Sequence, residues 1–114
     1  MRKQITFVFL LLVWTTLVGC VVSERAMEIA TLSGDIQAGS VLYGMHCADC
    51  HGDDGTTGRP SLLREDIVKL SKEEHADIII ERMEERGRRS QRVSLTNQEI
   101  ADIISYVQFL QGID

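Results

Sequence analysis

Proline occurs once, at Pro60, and aromatic residues make up only 5% of the 114-residue chain. A sandwich of short, turn-punctuated strands is therefore not expected. Basic side chains are in deficit, 12 against 17 acidic, giving a net charge of −5 that disfavours nucleic acid as a partner. Crossing a bilayer takes about 20 apolar residues. The longest such run, Ile5 to Val18, has 14 and includes three threonines. At 44% hydrophobic and 25% charged, the composition fits neither a disordered tail nor a multispanning membrane protein. One small domain is expected, with a core modest enough that an apolar prosthetic group would enlarge it substantially.

The N-terminus carries Arg2 and Lys3 before the Ile5–Val18 run, the anatomy of a secretory signal. It ends in Leu17-Val18-Gly19-Cys20, which resembles the bacterial lipobox. That resemblance implies cleavage before Cys20 and acylation of its thiol, with several acyl chains giving durable membrane attachment. An uncleaved anchor, or an ordinary signal beside a chance cysteine, is the alternative. Val21 is not an acidic retention residue, which tilts the expected location within the bacterial envelope towards the outer membrane, facing the periplasm. Removing the leader leaves ten basic against 17 acidic side chains, a net −7. The expected division is residues 1–19 as signal peptide, 20–33 as lipid anchor and tether, and 34–114 as the folded domain.

An odd number of cysteines in an exported chain requires an account of each. With Cys20 assigned to lipid, the remaining pair lies in Cys47-Ala48-Asp49-Cys50-His51, the C-x-x-C-H pattern of covalent c-type haem attachment. Two thiols on one turn can reach both vinyl groups of a single porphyrin, and the following imidazole then lies under the iron as proximal ligand. A redox disulfide and half of a zinc site use the same spacing. Zinc lacks a second cysteine pair here, and thiol redox motifs usually accompany a βαβ pattern that this chain does not have. One haem c, held by Cys47, Cys50 and His51, is the expectation.

The flanking segments resemble class I cytochromes c. Gly34 to Cys47 looks like the first helix of that family, with Asp35 as N-cap and Gly39, Tyr43 and Cys47 on one face. Leu95-Thr96-Asn97-Gln98-Glu99-Ile100 opens a last helix with a capping box. Its apolar stripe is Ile100, Ile103, Ile104, Val107 and Leu110. A middle helix is expected from about Lys72 to Arg86, boxed by Ser71 and Glu74, with Ala76, Ile79, Ile80 and Met83 on its apolar face. The resemblance implies an all-α domain of about three to four helices around one covalently attached haem. It also implies that the Gly52–Leu62 loop wraps a haem edge and that the Pro60 carbonyl accepts a hydrogen bond from His51, orienting the ring. Pro60 as a plain turn residue is the alternative.

On the distal side the pattern breaks. Electron carriers of this family usually place a methionine between the middle and last helices, but residues 87–94 contain no Met, His or Pro. Met83, as possible distal ligand or as core packing, His75, expected near the polar flank of the middle helix, and an open site all remain. His46 and Met45 lie too close to Cys47, and Met27 falls in the expected tether. The same stretch brings Arg86, Arg88, Arg89 and Arg92 together, to dock a partner, pair with propionates or headgroups, or simply be solvated.

These features imply an electron carrier and not an enzyme: a lipid-anchored monohaem cytochrome relaying single electrons between membrane-associated redox proteins outside the cytoplasm. A haem-based module that binds gas or peroxide at an exchangeable distal site is the alternative. A third reading drops the haem and makes the chain an assembly factor with a Cys47–Cys50 disulfide.

Overall fold

The computed structural model describes residues 22–58, 61–88 and 94–113. All regular structure among them is helical: α1 (Glu24–Thr31), α2 (Ile36–His46), α3 (Ala48–His51), α4 (Glu65–Val68), α5 (Lys72–Arg88) and α6 (Asn97–Leu110). Two of these, α3 and α4, are single turns, which with α1 takes the number beyond three to four. No described helix is long and apolar enough to cross a membrane.

The fold is organised by the crossing of α2 and α6. The Asp35 side chain caps α2 by accepting from the Ala38 amide at 3.0 Å. Asp35 in turn donates its own amide to the Asp102 carboxylate of α6 at 2.8 Å. Asp102 is buried, and Gln98 supplies a second donor at 3.0 Å, so the carboxylate is solvated by protein instead of water. At the crossing point Gly39 lies directly against the backbone of Asp102, where a β-carbon would collide with its carbonyl. Thr96 and Glu99 form the full capping box that starts α6. From there Ile100, Ile103, Ile104 and Val107 run into the core with Tyr43 and Leu95.

Beside this pair lies α5, begun by the reciprocal Ser71–Glu74 box, with hydrogen bonds of 3.1 and 3.4 Å. It runs to Arg88, two residues further than the sequence pattern suggests. Ala76 is fully buried, and Ile79, Ile80 and Met83 pack against the core from the same helix.

From Val22 onward, the segment expected to be a tether is instead part of the domain. Ser23 caps α1, accepting from the Ala26 amide at 3.1 Å, and its own hydroxyl and amide both donate to Asp77 of α5. Ala26 and Ile29 are completely buried against α5 and α6, and Arg25 donates to the Asn97 side chain and the Leu95 carbonyl. Apolar residues three apart on a short capped segment form an inward helical stripe, which the sequence pattern alone did not distinguish from a polar linker. Ile29→Ala is accordingly expected to destabilise the domain by about 3 kcal/mol, the usual cost of emptying a buried aliphatic site. A tether residue would shift a denaturant midpoint by less than about 0.5 kcal/mol equivalent.

Candidate functional site

Cys47 breaks the continuity between α2 and the next turn. Its amide still bonds to the Tyr43 carbonyl at 2.8 Å, but φ −122° and ψ −33° turn the chain. The amides of Cys50 and His51 then return to the Cys47 carbonyl at 3.2 and 3.0 Å, closing α3 as one turn. Cys47, Cys50 and His51 are thereby presented together from a single small element. Cys47 is half-buried and Cys50 exposed, and both are free thiols. Burial pushes the Cys47 thiol pKa up, against the opposing charge of Arg86.

Two contacts fix this turn. The buried Tyr43 hydroxyl donates to the Gly52 carbonyl at 2.7 Å, holding the end of α3 to the α2–α6 core. Loss of hydration pushes the Tyr43 pKa up to about 12, so the phenol remains a donor through the neutral range. Gly52 itself, at φ 78°, ends the turn in a conformation that favours glycine. On the other side Gly58 folds back over the motif, and a β-carbon there would collide with the Cys50 carbonyl and the His51 Cα. The loop is closed by the Leu62 amide on the Gly55 carbonyl at 2.9 Å, and by Gln111 donating to the Leu62 carbonyl at 2.8 Å from beyond the end of α6.

The His51 Nδ1 is buried with no hydrogen-bond partner among the described residues. A buried imidazole nitrogen requires an acceptor to orient the ring. Pro60, expected to provide one, lies outside the described residues, as do Cys20, Arg89 and Arg92. A haem tethered at this turn fits the residues present: both thiols are free, the adjacent imidazole has an unsatisfied Nδ1, and Gly58 leaves backbone in place of a side chain over the motif. Among the described residues no group of three or more His, Cys, Asp or Glu is arranged to hold a metal ion without such a cofactor.

The other candidates disperse. Met27 is half exposed on α1 and Met45 is 65% exposed on α2. His46 is half-buried in the last turn of α2. Met83 is half-buried on α5, one turn before Arg86. His75 corrects the expectation of a residue near the polar flank. It is only 7% exposed, and its Nε2 has no hydrogen-bond partner among the described residues. Burial lowers its pKa, opposed by the nearby charge of Glu74. Because the folded state disfavours the protonated ring, unfolding takes up a proton as pH falls below about 6.5, the ordinary histidine value. Stability contributed by neutral His75 is present above that pH and is lost below it. Denaturant midpoints measured at pH 7.5 and 5.5 are therefore expected to differ less in His75→Gln than in the parent protein.

A family model for Cytochrome c matches residues 36–111, from the start of α2 to just past α6. No curated protein and no solved structure matches the chain.

Proposed function

The chain belongs to the cytochrome c family, and on that premise we propose that it is a lipid-anchored monohaem cytochrome passing single electrons between membrane-associated redox partners outside the cytoplasm. Family membership brings covalently attached haem c and the general role of electron carrier. The observation that supports one haem here is the single-turn presentation of Cys47, Cys50 and His51, with a buried His51 Nδ1 left to be oriented; the lipid anchor is supported by the Leu17-Val18-Gly19-Cys20 motif.

In this reading Cys47 and Cys50 would carry the two thioethers, and His51 would bind the iron through Nε2, with its Nδ1 left to donate to the Pro60 carbonyl. Such a bond raises the basicity of the ligand and holds the ring plane. Tyr43 and Gly52 keep the ligating turn attached to the core. Haem, when bound, supplies the one-electron chemistry, and the protein sets its potential and exposure. Cys20 carries the lipid, placing the domain on the bacterial envelope, facing the periplasm and by preference on the outer membrane.

Met83 is the proposed distal ligand. It is half-buried on the apolar face of α5, whereas His75 on the same helix is only 7% exposed. A thioether there would raise the potential relative to a second imidazole. The reading of a gas- or peroxide-binding module draws on one feature: no Met or His follows Met83 in the sequence. Absorption spectra of protein from a host that matures c-type cytochromes separate the two. A low-spin spectrum unmoved by CO on the reduced protein, becoming CO-sensitive in Met83→Ala, supports the carrier with Met83 bound. A high-spin spectrum that shifts with CO supports the binding module, and absence of any haem band overturns both.

A further inference from the structure

Past the leader, methionine occurs as Met27, Met45 and Met83, and none follows Met83. Met27 and Met45 are exposed, which leaves a distal sulfur to come from Met83, on a helix and not on a loop. The difference is physical. A loop can bend its own backbone to bring a ligand to iron, whereas a side chain on a helix goes where the whole helix is seated. A coordinate bond tolerates only about 0.2 Å of error. The seating of α5 is therefore part of the coordination chemistry.

That seating is provided largely by α1. Ser23 donates its amide and its hydroxyl to Asp77 at 3.2 and 2.6 Å, while at the other end of α1 Lys72 shares a narrow cleft with Ile29, Ala30 and Leu32. The two helices thus run antiparallel. Between those ends lie Ala26 and Ile29, both completely buried. Among the described residues the larger share of the helix packing of α5 is against α1, and the smaller share is against α6. Meanwhile α1 is fastened to α6 in its own right: Arg25 donates to Asn97 and to the Leu95 carbonyl, and the cleft is completed by Ala101, Ile104 and Ser105. The helix that joins α5 to α6 lies outside residues 36–111, the span that matches the family model.

From these observations we propose that α1 is a clamp for the distal ligand: by holding Asp77 and the first turns of α5 in place, it sets where Met83 stands and hence how firmly Met83 binds the iron. The proposal rests on the reading of Met83 as distal ligand. Asp77 and Ile29 are positioning residues in this account, acting through α5. Asp77 precedes Met83 by six residues, about 9 Å along the helix axis, so a tilt at the seat is carried to the sulfur.

The test follows the rate at which CO displaces the distal ligand in full-length, haem-loaded, reduced protein, with the melting temperature as a separate measure of folding. Asp77→Ala, a change at the surface, and Ile29→Ala, a change in the core, are each expected to speed CO binding about tenfold. Asp77→Asn keeps an acceptor for Ser23 and should stay close to the parent rate. Met83→Ala, the reference for a lost ligand, should bind CO fastest, and adding Asp77→Ala to it should change nothing further. If Asp77→Ala and Ile29→Ala bind CO at the parent rate, whatever their melting temperatures, α1 does not position the ligand and the proposal is overturned with the Met83 reading intact. If Met83→Ala binds CO no faster than the parent, the Met83 reading falls and this proposal falls with it.

Discussion

Substituting serine for both Cys47 and Cys50 is expected to abolish covalent haem retention, so that no haem-staining band survives denaturing electrophoresis. The hydroxyl cannot form the thioether, and His51 alone would hold the cofactor by one exchangeable coordinate bond. Each single substitution should leave one attachment and an intermediate, less stable holoprotein. Because the described core is small, with ten buried apolar residues, losing the attached apolar mass should also lower thermal stability sharply. Haem that remained on the denatured double variant would exclude these two thiols as the attachment points.

The largest effect expected from a change remote from the motif is at Gly39. An added methyl there meets the Asp102 carbonyl, part of the backbone of a packed helix that cannot turn aside as a flexible side chain would. Forcing α2 and α6 apart should cost about 3 kcal/mol or more, outweighing the gain of about 1 kcal/mol in helix propensity. For a domain of this size the melting temperature of Gly39→Ala should fall by about 12 °C or more. Gly44 lies on the same helix with open space around it. Gly44→Ala should therefore raise the melting temperature by a few degrees through propensity alone. If the two variants melted alike, the close crossing would not be what holds the fold together.

Much of this architecture was legible because local chemistry fixed it. The Asp35 cap, the Ser71–Glu74 and Thr96–Glu99 boxes, and the stripe from Ile100 to Val107 are short-range patterns, and each forms where its residues stand. The candidate site was legible for the same reason, since Cys47, Cys50 and His51 need only one helical turn to come together. What escaped notice depended on neighbours distant in sequence. From its place beside the apolar face of its helix His75 is expected near the polar flank, yet packing buries it. Asp102, an acid among isoleucines, is accommodated because the Asp35 amide reaches it across the crossing while Gln98 donates to it along α6.

The sequence by itself determined the fold class, the helix starts, the haem-attachment motif and the absence of a loop methionine, all properties of residue type and spacing. Tertiary structure alone decided that residues 24–31 belong to the domain, that His75 is buried, and that Asp35 bonds to Asp102 across the α2–α6 crossing. Those outcomes follow from the burial of Ala26 and Ile29 and from hydrogen bonds spanning up to 72 residues. Their free energy exists only once the helices have met, so no local pattern encodes it.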